Sequence, residues 1–273
     1  MPDVILATDE LTKRVSERQS FYKKQTLYGK HALHEKQVLD KKPALHEKQV
    51  YDKKQASHGK QVFNKKQVFN GKNIVDHVSL TINRGDIYGL IGAGGSGRTM
   101  FFRLVCGLAK PTEGRYSLFG ETAGGRLRKR RAGMGIMVGE PAIYRDLTAL
   151  ENLVVQSRYF RHPVSREGMR ELLELAGLGN AENKRAGRFS EGMRRQLGVA
   201  LALVGNPEFV ILDEPYLEVD DEKAEQLQRL LLWLNREKGL TILFGSVSEE
   251  RLPGLATRYG FLHEGRLARE ISG

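Results

Sequence analysis

The sequence predicts an α/β fold built on a mainly parallel sheet, and three observations point to it. A short apolar run, Ile87 to Ile91, enters the glycine-rich stretch Gly92-Ala93-Gly94-Gly95-Ser96-Gly97, and the apolar segment Thr99 to Leu108 follows. A second apolar run, Phe209 to Leu212, ends in two adjacent acids, Asp213 and Glu214. Between them, Ser190-Glu191-Gly192 opens an apolar segment that extends to Val204. Strand, tight turn and helix recur in that order, and acids at a strand's carboxyl end lie where open α/β sheets hold their ligands.

The elements follow in chain order. Ile87 to Ile91 reads as a buried strand. Residues 92 to 99 form a phosphate-binding loop by pattern: the glycines let the backbone fold tightly, so that successive N–H groups and the start of the next helix face one anion. The pattern asks for lysine before the final hydroxyl residue, and this chain has Arg98 before Thr99. Thr99 would offer its hydroxyl to Mg²⁺, and residue 98 would reach the β- and γ-phosphates of a nucleotide. Arg166 to Ala176, with Met169, Leu172, Leu173 and Leu175, has helical spacing. Ser190 caps the next helix, Gly192 permits close backbone approach, and the helix end is a second anion-binding N-terminus. At the end of the Phe209 strand, Asp213 can hold Mg²⁺ through water and Glu214 can orient or deprotonate an attacking water. Thr241 to Phe244 is a further strand.

Composition bounds the rest. The chain has 273 residues, 40% of them hydrophobic, enough for a full core. Cys106 is the only cysteine, so no intramolecular disulfide forms, which fits a reducing compartment. The N-terminus shows no basic-then-apolar signal segment, and the apolar stretches fall short of the roughly 20 residues a spanning helix needs.

The net charge of +11 is concentrated. Between residues 19 and 72, thirteen lysines stand against four acids and carry +9 of it. Lys24, Lys36, Lys48, Lys60 and Lys72 recur every 12 residues, and His31 to Lys42 nearly repeats as Pro43 to Lys54. These units hold too few apolar groups for a core. They read as a solvated insertion from tandem duplication, in preference to an arm for anionic lipid or nucleic acid.

The phosphate loop, Phe189-Ser190-Glu191-Gly192-Met193 and the strand Phe209 to Glu214 stand in an order and spacing that resembles the ATP-binding subunit of an ABC transporter, over residues 3 to about 18 and 69 to 273. Glu140 to Leu153, with the FSxGM form of the signature, is most similar to the bacitracin-export and lantibiotic-immunity branch. The resemblance implies a P-loop NTPase of the ABC type with an antiparallel β layer and a helical subdomain. Its parts would be a first strand region at 1–18, the repeat insertion at 19–68, core at 69–140, helical subdomain at 141–200 and core again at 201–273.

It also implies site residues. Phe69 stacks on adenine; Gly92, Ala93, Gly94, Gly95, Ser96, Gly97, Arg98, Thr99 and Met100 bind ATP. Thr99 and Asp213 face Mg²⁺, Glu214 is catalytic, and Asp220 belongs to the loop after the acidic strand. Ser190, Glu191, Gly192 and Met193 serve the ATP of a second subunit in a head-to-tail dimer, homodimeric or heterodimeric. The implied partners are that subunit and a multi-span membrane permease, which places the chain on the inner face of the cell membrane from the cytoplasm.

Several features depart from the family pattern: Arg98 for lysine; Gly139 where a glutamine that positions Mg²⁺ and water is expected at that residue or its neighbour, with Glu140 the only nearby substitute; Val247 where a histidine would contact the γ-phosphate; and Tyr216 to Val219 in the loop after the acidic strand, where only Asp220 matches. A planar guanidinium does not reproduce a compact ammonium, glycine has no side chain, and valine cannot donate a hydrogen bond. The expectation is an ABC-type ATPase that powers export, its activity lowered or lost through these departures. The alternatives are a non-hydrolysing ATP-binding regulator and a basic-repeat nucleic-acid or lipid binder on an ATPase scaffold.

Overall fold

The computed structural model describes residues 3–15, 73–122, 124–248 and 254–272. The repeats at 19–68 and Phe69 lie outside the described residues. All that follows concerns the compact unit made of residues 1–14 and 73–273.

Strands β1 (Val4–Arg14) and β2 (Asn73–Asn83) pair antiparallel, and β1 also pairs antiparallel with β4 (Glu113–Leu118), giving a three-stranded sheet in the order β2-β1-β4. The larger sheet has the order β5-β6-β7-β3-β8-β9. Its strands are β3 (Ile87–Ile91), β5 (Gly135–Met137), β6 (Phe209–Asp213), β7 (Thr241–Ser246), β8 (Arg258–His263) and β9 (Arg266–Ser272). All neighbours are parallel except the β8–β9 hairpin at the edge.

The helices are α1 (Arg98–Val105), α2 (Gly124–Ala132), α3 (Ala149–Ser157), α4 (Arg166–Leu175), α5 (Glu191–Leu203) and α6 (Asp221–Lys238). Residues of the central strands alternate between two cores, as a sheet covered on both faces requires. Phe209, Ile211 and Leu243 join a core with Phe101 and Phe102 of α1 and with Leu6 and Val78 of the small sheet. Val210, Leu212, Ile242 and Phe244 face the other way, onto Leu153, Leu173, Leu197 and Leu231 of helices α3 to α6. Helix α1 is thereby packed between the two sheets, and the helical subdomain covers the opposite face.

The expected strands at 87–91, 209–212 and 241–244 and the helices at 99–108 and 166–176 all form, with ends shifted by a few residues. No helix among the described residues is long and apolar enough to cross a membrane.

Candidate nucleotide site

Three neighbouring strands deliver the candidate site. Because β7 lies between β3 and β6 and all three run parallel, the loop after β3, the end of β7 and the acids that end β6 meet at the carboxyl ends of these central strands. Gly92 N–H donates to the Ser246 carbonyl at 3.0 Å, and Glu214 N–H donates to the Gly245 carbonyl at 3.0 Å, which locks the three ends together.

The loop itself is tightly wound. Gly97 precedes α1 with φ of 99°, a left-handed conformation open to glycine, and a Cβ there would strike the Ile74 carbonyl. A Cβ at Gly92 would lie 2.5 Å from Ser96 Oγ, so the loop closes on itself. Helix α1 has no side-chain cap, and Phe101 N–H donates to Gly97 O at 2.9 Å as its first turn closes. The preceding N–H groups are the donors a helix start offers to an anion. Ser96 Oγ is buried and has no partner among the described residues. Ala93, Gly94 and Gly95 are exposed, whereas Met100 is buried in the core beneath the loop.

Thr99 Oγ1 donates to Asp213 Oδ2 at 2.7 Å, so the loop's hydroxyl and the β6 carboxylate are in direct contact. Arg98 behaves differently from the expectation that it reaches phosphate. Its side chain is 7% exposed and turns back to the strand ends. Nη1 donates to the Ser246 carbonyl at 2.6 Å and also to the Gly92 carbonyl. Nη2 pairs with the Glu214 carboxylate, and Nε lies 3.4 Å from Asp213 Oδ1. The physical reason is reach: a guanidinium presents five donors in a rigid fork, and here that fork meets two carbonyls and two carboxylates at once. Glu214 sits at φ of 53°, and burial holds its carboxyl above its usual range against the opposing pull of Arg98.

One contributor escaped the sequence reasoning. Arg195, on α5, is buried, and its Nη1 donates to the Gly139 carbonyl at 2.8 Å and to the Asp213 carbonyl at 3.4 Å. Its Nη2 lies 3.7 Å from Glu140 Oε1, and Nε has no partner among the described residues. The doubled arginine after the signature was the available signal, to be weighed against the missing side chain at 139. Gly139 has φ of 76°, so its backbone follows a path unsuited to the expected glutamine. Val247 is 47% exposed and offers no hydrogen bond.

The signature forms the start of α5. Ser190 Oγ accepts from Met193 N–H at 3.2 Å, and Glu191 pairs with Arg194. Gly192 is needed within this chain itself, since a Cβ there would strike the Glu218 carbonyl in the loop after β6. Asp220 ends that loop by capping α6, accepting from Lys223 N–H at 3.1 Å.

A divalent cation finds a short donor set. Thr99 and Asp213 are present, but residue 139 supplies no side chain, one Asp213 oxygen accepts a hydrogen bond from the Thr99 hydroxyl, and two buried guanidinium groups lie at the acidic strand end. Among the described residues no three His, Cys, Asp or Glu side chains gather as a metal cluster. Magnesium keeps several waters and takes substrate phosphates beside one or two carboxylates, so what does not fit it here is the pair of guanidinium groups at the acidic strand end.

A family profile described as "ABC transporter" matches residues 75–217, which spans the phosphate loop, the signature and the acidic strand. The chain belongs to the ABC transporter family. This ABC cassette is 36% identical over 197 residues to the bacitracin transport ATP-binding protein BcrA of Bacillus licheniformis, covering 72% of this chain and 64% of that protein. It is 32% identical over 198 residues to the lantibiotic transport ATP-binding protein SrtF of Streptococcus pyogenes, covering 72% of this chain and 83% of that protein. The match therefore spans about two thirds of the length of BcrA. Among solved structures, a bacterial ABC transporter cassette in dimeric form aligns at a TM-score of 0.73 and 20% identity, over 98% of both chains. The expected resemblance and fold are thus both found.

Proposed function

We propose that this chain is the ATP-binding subunit of an export system, acting through a separate multi-span membrane permease and paired head to tail with a second ATP-binding subunit. One observation carries the nucleotide reading: the Thr99 hydroxyl is hydrogen-bonded to Asp213 across the β7 strand, at the mouth of a loop wound for anion binding. Gly92 to Gly97 and the first turn of α1 hold the triphosphate, and Ser190, Glu191, Gly192 and Met193 address the partner's nucleotide. Asp220 lies in the loop between subunits, and Glu214 is the group that orients or deprotonates water. Thr99 and Asp213 are the residues nearest to a magnesium role, which is typical of the family. Similarity to BcrA and SrtF, named for bacitracin and lantibiotic transport, supports a peptide antibiotic as the exported substrate and the membrane's cytoplasmic face as the place of work.

A second reading has its own support. With Glu214 held by Arg98, the cassette binds nucleotide and regulates its partner without turnover. Single-turnover ATP hydrolysis by the purified chain, with and without its permease, separates the two. The enzyme reading expects turnover above that of Glu214→Gln; equal rates in both settings leave only the regulator.

A further inference from the structure

The two buried arginines at the acidic strand end have no place in a site designed around a divalent cation. Arg98 spans both carboxylates, pairing with Glu214 and lying 3.4 Å from Asp213 Oδ1, while the other Asp213 oxygen receives the Thr99 hydroxyl at 2.7 Å. Arg195 brings a second guanidinium to the same end, 3.4 Å from the Asp213 carbonyl and 2.8 Å from the carbonyl of Gly139, the position that lacks a side-chain oxygen. Both are below one tenth exposed. A hard cation here would lose one oxygen ligand and sit beside fixed positive charge. Arg195 Nε is a buried donor with no partner among the described residues.

We propose that Arg98, seconded by Arg195, takes the place of the divalent cation at Asp213 and Glu214, so that this loop binds metal-free nucleoside triphosphate. The proposal rests on the nucleotide reading above. A lysine at 98 would be a point charge on a flexible stem, unable to bridge both carboxylates and two carbonyls, and would leave the acids available to a metal.

The test is ATP affinity of the full chain by isothermal titration, in excess Mg²⁺ and in EDTA. Wild-type dissociation constants should agree within about threefold, and Arg98→Lys should open a gap of about tenfold or more in favour of Mg²⁺. A parallel titration of Mn²⁺ alone, read by its paramagnetic resonance signal, should show no site in the wild-type protein and one in Arg98→Lys. A wild-type preference for Mg²⁺ above about tenfold, or Mn²⁺ binding by the wild-type protein alone, overturns the proposal and leaves the nucleotide reading standing. Absence of ATP binding in both buffers overturns both. The wild-type comparison needs no variant, so a poorly folded Arg98→Lys cannot shield the idea.

Discussion

Replacing Arg98 by methionine removes one partner from a buried charge network while keeping most of its volume. The guanidinium currently answers Glu214, Asp213 and the carbonyls of Gly92 and Ser246 from a side chain only 7% exposed. Breaking a buried pair by deleting one partner costs about 3–5 kcal/mol, because the other charge is left uncompensated. For a cassette of this size that corresponds to a fall in melting temperature of about 6–20 °C. The pH dependence has a fixed sign. Burial already raises the Glu214 carboxyl, and losing Arg98 raises it further. A carboxyl whose folded value lies above its unfolded one stabilises fully below the unfolded value and loses that contribution as pH rises through the folded value. The deficit of Arg98→Met is therefore largest near neutrality and shrinks in mild acid. Urea unfolding at about pH 7 and about pH 5 measures both, and the double variant Arg98→Met with Glu214→Gln should recover about 1–3 kcal/mol through the coupling of neighbours. A loss below about 1 kcal/mol, or an equal loss at both pH values, would refute the argument that the pair is buried and charged.

Two further outcomes follow from packing and charge elsewhere. Gly192→Ala should destabilise by about 1–3 kcal/mol, since the added methyl must displace the Glu218 backbone, and hydrogen exchange at 216–220 should speed up; unchanged exchange there would show that the close approach is dispensable. Asp76 is held at about 2 by the Asn73 amide, then by Arg266 and His77, so Asp76→Asn should cost about 1 kcal/mol near neutrality, with the exposed Arg266 limiting the effect. That stabilisation is present above the ordinary carboxylate value and vanishes as pH falls through about 2, so variant and wild-type melting curves should converge in acid; a constant offset would contradict it.

The fold was legible wherever apolar runs were bounded by turn-formers. Ile87 to Ile91, Phe209 to Leu212 and Thr241 to Phe244 are strands buried on both faces, and continuous hydrophobicity is their signature. The β8–β9 hairpin and the three-residue β5 were harder to see. Arg258, Arg266 and Arg269 interrupt the hairpin's hydrophobic pattern, and β5 is a strand chiefly by its pairing with β6. The helix start at Ser190 was visible because a capping side chain acts locally, whereas the cap that Asp220 places on α6 was not read from the sequence. Asn152 shows the opposite case: it accepts from Tyr144 N–H at 2.8 Å and donates to the Tyr144 carbonyl at 3.0 Å, a loop-bracing role that no local pattern announces.

The site was legible in its parts and not in its wiring. Glycine spacing located the loop and the adjacent acids located the strand end, but the destination of a long side chain depends on β3 meeting β6 and β7, which follow it by more than a hundred residues. Arg98 and Arg195 lie far apart in the chain, yet both reach the backbone or carboxylates of Asp213 and Glu214. Read singly, Arg98 and Gly139 were two defects of one nucleotide site. Together with Arg195 they form one arrangement, in which the carbonyl of a left-handed glycine accepts from one guanidinium while the other guanidinium bridges the acids. Such a network is coupled, so the energetic effects of changing its members should not add. Restoring lysine at 98 alone therefore leaves Arg195 charge at the strand end and should recover only part of a metal-dependent site.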